Sequence, residues 1–194
     1  MGKSTWSARV TICIEGNILA HNNYAGFSTS WEAGGAKLVK TTNLVVRGNC
    51  VHNNAGTGLW TDISNIHSLY EGNRVFANSS EEIHHEISYD AVICDNEVFA
   101  NGHGFDSWLF GAQILVNTSR NVEVHGNHVE IARGYGDGII LLQQGRGDGP
   151  YGEWRTSGNR VHGNLIIYSG VSGAAGDYNN EALFSSGNLF NGNR

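Results

Sequence analysis

Short runs of alternating apolar residues recur along the chain, and each lies next to a Gly-Asn pair. The clearest runs are LVV at 44–46, AVI at 91–93 and VEV at 122–124. Alternation over so few residues, bounded by turn-forming residues, is typical of short β-strands that bury one face. The neighbouring motif is G-N-x-(V/L)-x-x-N, in which glycine and asparagine favour tight turns. The pattern predicts a short strand followed by a turn, repeated many times.

The motif recurs along the chain, which indicates a stack of similar coils. Its leading asparagines are Asn17, Asn49, Asn73, Asn96, Asn127, Asn159 and Asn188. Successive members are 23 to 32 residues apart, so the shortest spacing gives the basic coil and the longer ones contain loops. One asparagine at a fixed place in each turn predicts an asparagine ladder, in which each side chain hydrogen-bonds the next. The sequence thus predicts an all-β solenoid of about seven coils.

These coils form one predicted domain over residues 1–194. The last residues, NLFNGNR, still belong to the repeat, and neither end shows an evident cap. Open strand edges invite pairing with other chains. The ends therefore predict a longer protein, ends covered by loops, or oligomerisation through the uncapped ends.

The repeat resembles that of the right-handed parallel β-helix proteins, the pectin-lyase-like superfamily, over nearly the whole chain. The resemblance implies a right-handed parallel β-helix and an extracellular or cell-surface location. The superfamily includes polysaccharide lyases, glycoside hydrolases, sugar epimerases and non-catalytic adhesins and spikes. Since one fold supports many chemistries, the resemblance implies a carbohydrate-active protein with a polysaccharide partner and leaves the reaction open.

A second set of strands defines an outward face. The aligned segments are GAKLVK (35–40), GLWTDI (58–63), EIHHEI (82–87), QILVNT (113–118) and GIILLQ (138–143). Alternate residues of a strand face opposite sides, so the apolar set lies inward together with His85, which needs a partner such as Thr61. The polar or aromatic outward positions are Lys37, Trp60, Asp62, His84, Glu86 and Asn117. In this register the backbones of Asp62 and Glu86 are about 4.8 Å apart, and a shift of one residue would move both acids inward.

Three long insertions lie beside this face, at 23–34, 102–112 and 144–157. They are rich in aromatic residues, whose faces stack on sugar rings, and long loops on a rigid scaffold often carry function. The prediction is a lateral groove that binds an extended polysaccharide. The substrate-binding candidates are Trp31, Trp60, Trp108, Asn117, Arg146, Tyr151 and Trp154.

The candidate catalytic residues are Lys37, Asp62, His84, His85 and Glu86. Two carboxylates at this spacing suit the acid and the nucleophile of glycoside hydrolysis. Alternatively, His84 or Lys37 is the base of a β-elimination, in which a cation neutralises a uronate carboxylate. A third interpretation is a calcium site formed by Asp62, Glu86 and Asn117. The leading hypothesis is polysaccharide cleavage by elimination or hydrolysis, and the alternative is a non-catalytic scaffold or surface binding module, which the uncapped ends favour.

A local resemblance bears on His85. HEISYDAVICDNEVFANG, residues 85–102, is similar to the stretch of mannuronan epimerases that begins at the His-Glu of their Asp-Pro-His-Glu motif. His85 and Glu86 match that pair, whereas Ile83 stands at the place of the catalytic Asp and His84 at the place of Pro. The resemblance implies that His85 faces the functional side, contrary to the strand register above, and both placements stay open.

The composition argues against several classes of binding partner and metal site. A formal net charge of −6 and a pI of about 5.8 argue against non-specific binding to nucleic acid. No apolar stretch is long enough to span a membrane, and no signal-peptide pattern begins the chain. The cysteines, Cys13, Cys50 and Cys94, lack metal-ligand spacing and are odd in number, so neither a cysteine metal site nor a disulfide framework is predicted.

Overall fold

The computed structural model describes residues 12–103, 109–132, 134–169, 175–179 and 185–194. Strands account for 53% of the chain, and the described part contains no helix, so none of it forms a helix that crosses a membrane. The strands form three parallel sheets and one short hairpin. This architecture confirms the predicted all-β solenoid.

Each coil contributes strands to three sheets in turn, and neighbouring coils pair in parallel. Sheet 1 contains β1 (Ile12–Glu15), β4 (Leu44–Arg47), β7 (Ser68–Glu71), β10 (Tyr89–Cys94), β13 (Arg120–His125), β18 (Arg160–His162) and β21 (Leu189–Asn191). Sheet 2 contains β2 (Ile18–Ala20), β5 (Cys50–His52), β8 (Arg74–Phe76), β11 (Glu97–Phe99), β14 (His128–Ala132) and β19 (Leu165–Ser169). Sheet 3 contains β3 (Gly34–Val39), β6 (Thr57–Asp62), β9 (Ile83–Glu86), β12 (Ile114–Asn117), β15 (Ile139–Gln143) and β20 (Gly176–Asn179). The antiparallel hairpin consists of β16 (Asp148–Gly149) and β17 (Gly152–Glu153).

Inward-facing aliphatic side chains fill the space between the sheets. The core column of sheet 3 contains Leu59, Ile83, Ile114 and Ile139, on four successive rungs. The equivalent column of sheet 2 contains Val51, Val75, Val98 and Val129. Complete burial of such a side chain stabilises the fold by about 1.5–3 kcal/mol. The alternation of apolar and polar residues along each strand therefore reflects which side chains face the core and which face the surface.

An asparagine ladder runs along the turn between sheets 1 and 2. Its members are Asn17, Asn49, Asn73, Asn96, Asn127, Asn164 and Asn193. Each Nδ2 donates a hydrogen bond to Oδ1 of the next member, at 2.9–3.1 Å. The residue before each asparagine has a left-handed conformation, as at Gly72 with φ 61°, which glycine adopts without steric cost. The structure thus contains the predicted ladder.

Two leading asparagines of the sequence motif lie elsewhere. Asn159 and Asn188 precede β18 and β21, so they occupy the turn that enters sheet 1. There the backbone N–H of Asn159 donates to Oδ1 of Asn188 at 3.0 Å. The predicted ladder position was wrong for these two residues, because the sheet 1 strand of the last two coils has a Gly-Asn pair on both sides, as in GNRVHGN at 158–164.

A fully buried carboxyl group, that of Glu82, lies next to a second ladder. The members of this ladder are Asn22, Asn54, Asn78 and Asn101. Asn78 Nδ2 donates to Glu82 Oε2 at 2.8 Å, while Oε1 has no hydrogen-bond partner within the described chain. Glycine at position 58 makes room for this side chain, because a Cβ on Gly58 would lie 2.9 Å from Glu82 Oε2.

Complete burial raises the pKa of Glu82 well above its usual value, and the neighbouring Glu81 charge adds to the rise, whereas the Asn78 hydrogen bond opposes it. We therefore expect Glu82→Gln to stabilise the protein increasingly as the pH rises. Above the unfolded pKa of about 4.3 and below the raised folded pKa, the folded wild type binds one proton more than the unfolded chain, so its stability falls with rising pH. The advantage of the variant will grow by up to about 1.4 kcal/mol per pH unit.

Denaturant unfolding of both proteins between about pH 5 and pH 8 measures this difference. Titrations that the two proteins share, such as that of His85, cancel when the two free energies of unfolding are subtracted. A difference that stays constant across the pH range would contradict the assignment of a protonated Glu82.

Candidate functional site

Sheet 3 presents the predicted polar face outward. The strand pairing places Trp60 beside His84, and Asp62 and Glu86 follow two residues later on the same two strands. Because alternate residues of a strand face the same side, these four side chains share the outward face. The structure thus confirms the strand register that the sequence predicts.

A cation, an indole and an imidazole stack along the outward face. Lys37 Nζ lies 3.6 Å from the centroid of the Trp60 ring. The other side of Trp60 faces His84, with ring centroids 5.4 Å apart and an interplanar angle of 7°. Parallel strands hold these side chains about 4.8 Å apart per rung, which favours stacking. The stack fixes the orientation of His84.

Asp62 has one oxygen in an ion pair and one without a partner. Lys37 Nζ lies 2.8 Å from Asp62 Oδ2 and also donates to the backbone carbonyl of Trp31. Asp62 Oδ1 is buried and has no hydrogen-bond partner among the described residues. An unsatisfied buried oxygen raises the free energy of the folded state by about 1–3 kcal/mol. A ligand that donates a hydrogen bond to Asp62 Oδ1 would remove this cost.

Both oxygens of Glu86 accept hydrogen bonds from neighbouring side chains. Oε1 accepts from Arg146 at 2.6 Å and from Asn117 Nδ2 at 3.3 Å. Oε2 accepts from Trp60 Nε1 at 3.2 Å, and His84 Nε2 lies 3.9 Å away. Glu86 is therefore a fixed negative charge at the centre of the outward face.

Two adjoining cavities lie over these side chains, and together they form the groove. The larger cavity has a volume of about 700 Å³, and Lys37 and Asp62 line it. The smaller cavity has a volume of about 340 Å³, and His84 lines it. The residues that line both cavities are Ser30, Trp60, Glu86 and Arg146. Trp31, 73% exposed, stands at the wall of the larger cavity.

An apolar cover closes the groove at its far end. The cover consists of Leu109, Ala112, Leu115, Ile140 and Leu142, with Phe110 and Tyr178 packed against them. Leu115 pairs with His84 on the next rung, so the outward column that contains His84 changes from polar to apolar within one rung. Phe110 lines the smaller cavity and marks the end of the groove.

His85 lies inside the coil. Its Nδ1 is 2.7 Å from Thr61 Oγ1, which also accepts a hydrogen bond from the Tyr70 hydroxyl at 2.7 Å. Complete burial lowers the pKa of His85 to about 4, so its imidazole is neutral at physiological pH. The placement of His85 on the functional side, which the epimerase resemblance implies, is wrong, because its parity in the strand turns it inward. Its predicted catalytic role requires a contact with substrate that this position excludes.

Asn117 supports Glu86 from below the groove surface. Its side chain is fully buried, donating through Nδ2 to Glu86 and to Gln144 Oε1 at 3.0 Å, while its Oδ1 accepts from Thr118. The predicted calcium site does not fit this arrangement, because Lys37 and Arg146 lie against the carboxylates and Asn117 presents a donor. Asn117 is likewise too deep for the predicted contact with substrate.

The aromatic residues of the third insertion pack away from the groove. Tyr151 meets Tyr89 of sheet 1 edge-on, with ring centroids 5.3 Å apart. The Trp154 backbone N–H donates to the Gly147 carbonyl at 3.0 Å, and the Trp154 indole lies beside Gly149 in the hairpin. Neither Tyr151 nor Trp154 lines the two cavities, which corrects their prediction as substrate-binding residues. The predicted Trp108 lies outside the described residues.

Five residues that the sequence did not single out line the smaller cavity. They are Thr29, Ser30, Ser80, Glu81 and Gln144. Glu81 lies two residues before the first residue of β9, outside the strand, where the period of two does not apply and alternation assigns no face. The signal in the sequence that could have indicated Glu81 is its position directly before a run of acidic and histidine residues, EIHHE at 82–86.

A group of ligand-type side chains lies outside the groove, at the turn between sheets 1 and 2. One ligand atom each from Glu71, Cys94 and Asp95 lies within 4.8 Å of the others. Burial raises the pKa of the Cys94 thiol to about 11, and the Asp95 and Glu71 charges add to the rise. The thiol is therefore protonated at neutral pH, a state that does not favour metal binding.

Comparison with known proteins identifies the fold family. Neither the curated proteins nor the solved structures returned a match to the chain. The family model described as "Right handed beta helix region" matches residues 4–129. This range covers more than half of the chain and includes strands β3, β6 and β9, which carry the polar face of the groove. The chain therefore belongs to the right-handed β-helix family.

Proposed function

We propose that the protein binds an extended polysaccharide in the groove and hydrolyses its glycosidic bonds. The observation that carries this proposal is the set of unsatisfied polar atoms at the groove floor. Asp62 Oδ1 and both ring nitrogens of His84 are buried without hydrogen-bond partners among the described residues. Since such atoms are usually satisfied in a folded protein, a ligand rich in hydroxyl groups is a suitable partner for them.

The walls of the groove suit sugar rings. Trp31 presents aromatic surface to the larger cavity, and Phe110 presents it to the smaller cavity, whereas Lys37 and His84 cover the two faces of Trp60. The cavities also contain charged groups at fixed positions, and a few fixed polar groups among apolar walls are the usual composition of a ligand site. A groove that follows the coil axis can accommodate an extended chain.

The charges of the groove favour hydrolysis over β-elimination. Elimination at a uronate requires a cation that neutralises the substrate carboxylate. The cations that line the groove in the described chain, Lys37 and Arg146, are paired with Asp62 and Glu86. The lining carboxylates also include Glu32 and Glu81, so the groove is acidic and repels uronates.

Asp62 and His84 lie on different sides of the junction between the two cavities. We assign Asp62 Oδ1 as the base that takes a proton from water while the water oxygen bonds to the anomeric carbon and the glycosidic C–O bond breaks. In the same step His84 gives a proton to the leaving oxygen, and afterwards Asp62 releases its proton to solvent while His84 takes one up, so protons balance over the cycle. Glu86, 3.9 Å from His84 Nε2, stabilises the protonated imidazole.

The test is a time course on a panel of neutral, amino-bearing and uronate polysaccharides. We expect reducing ends to increase without ultraviolet absorbance from unsaturated products, and a chelator to leave the rate unchanged. Absorbance that rises together with reducing ends would replace hydrolysis by β-elimination. No reducing ends from any polysaccharide would favour the non-catalytic scaffold.

A further inference from the structure

The smaller cavity contains a carboxylate without a counter-charge. The Glu86 charge in this cavity is balanced by Arg146, whose guanidinium lies 2.6 Å from it. Glu81 takes part in none of the ion pairs formed by the described residues. The charged side chains that line this cavity, Glu81, Glu86 and Arg146, therefore sum to a net charge of about −1.

The Glu81 side chain is held in place by two hydroxyl groups. Its Oε2 accepts from Thr57 Oγ1 at 3.0 Å and from Ser80 Oγ at 2.5 Å, and the residue is only 6% exposed. No hydrogen bond within the described chain reaches its Oε1. A carboxylate fixed in this way is a pre-organised acceptor, because little side-chain freedom is lost when a ligand binds.

A second, independent observation concerns His84 in the same cavity. His84 is 3% exposed, and neither of its ring nitrogens has a hydrogen-bond partner among the described residues. Both nitrogens are therefore available to form a hydrogen bond with a ligand. The cavity thus offers these nitrogens and one uncompensated negative charge beside the aromatic ring of Phe110.

We infer that the smaller cavity is a subsite for a sugar that carries an ammonium group. The inference rests on the proposed function and names its substrate class, a polysaccharide of amino sugars with free amines. An ammonium has three donors and one positive charge, which match the Glu81 carboxylate and the aromatic ring of Phe110. The net charge of −6 also attracts a polycationic chain over a longer range.

A matched set of ligands tests this inference. Three β-1,4-linked hexasaccharides of the glucan backbone, with an ammonium, an acetamido or a hydroxyl group at C2, differ at that one position. Their dissociation constants are measured by calorimetry at low salt for wild type, Glu81→Gln and Glu97→Gln. Glutamine at position 81 keeps an oxygen that can accept hydrogen bonds from Thr57 and Ser80. Glu97→Gln is the control, because it removes one negative charge from sheet 2, away from the groove.

We expect wild type and Glu97→Gln to bind the ammonium ligand about 10-fold more tightly than the hydroxyl ligand, as for one charge-assisted hydrogen bond. Glu81→Gln will bind the two ligands with similar affinity. Equal binding of all three ligands by wild type, or a preference that survives in Glu81→Gln, would overturn the ammonium subsite alone. If none of the three ligands binds to wild type, the polysaccharide groove is overturned as well.

Discussion

Replacing Asp62 by asparagine will lower the rate of polysaccharide hydrolysis about 10²–10⁴-fold, the usual contribution of a general base. The side chain keeps its shape, so a ligand can still bind, but the amide cannot take a proton from water. The effect will appear in kcat, whereas KM will change little, because the lost interaction belongs to the transition state. Reducing-end release by purified Asp62→Asn, measured over a range of substrate concentrations, gives both constants.

The matched control is Asp148→Asn, which makes the same chemical change in the exposed hairpin strand β16. We expect this control to hydrolyse at the wild-type rate. Thermal melting of both variants shows whether either one fails to fold, since Asp62 also pairs with Lys37 at 2.8 Å. Hydrolysis at the wild-type rate by a folded Asp62→Asn would remove Asp62 from the mechanism.

Replacing Asn73 by alanine will lower the free energy of unfolding by about 3–5 kcal/mol, because several buried groups lose their partners at once. Asn73 Oδ1 accepts from the backbone and the side chain of Asn49, at 3.1 and 2.9 Å. Its Nδ2 donates to the Val46 carbonyl and to Asn96 Oδ1, both at 2.9 Å. Such a loss is a large share of the total stability of a typical domain, about 5–15 kcal/mol.

Asn17→Ala is the control for this ladder effect. Asn17 occupies the first described position of the same ladder and is exposed, and its side chain donates to Asn49 Oδ1 and the Glu15 carbonyl. Water can replace these bonds, so we expect a loss of no more than about 1 kcal/mol. Denaturant unfolding of the two variants measures both losses. Equal losses would show that burial does not set the stability of the ladder.

The register of sheet 3 could be predicted from the sequence because burial imposes a period of two. Leu59 and Ile83 must face the core, and this requirement alone turns Asp62 and Glu86 outward. The same argument placed His85 inside, where it meets Thr61. The local resemblance gave the opposite placement for His85, since a shared coil pattern does not determine which face a residue occupies.

The remaining features depend on contacts that no repeat encodes. Tyr151 packs against Tyr89 because the hairpin folds over sheet 1, and loop folding of this kind follows from tertiary contacts. The pairing of Arg146 with Glu86 likewise joins residues 60 positions apart. The sequence does not predict which way Glu81 faces, because this residue lies before the start of β9, where the period of two does not apply. Asn159 was misplaced because two kinds of turn share one Gly-Asn signature.

The apolar cover gives the groove a blind end. The polar face extends over the three rungs of Lys37, Trp60 and His84, and these rungs span about 10 Å before Leu115 replaces them. A polymer that lies along the coil axis must therefore terminate at the cover or turn away from the protein. If the proposed hydrolysis takes place in this groove, we expect it to remove short pieces from one end of the chain, in preference to random cuts along its middle.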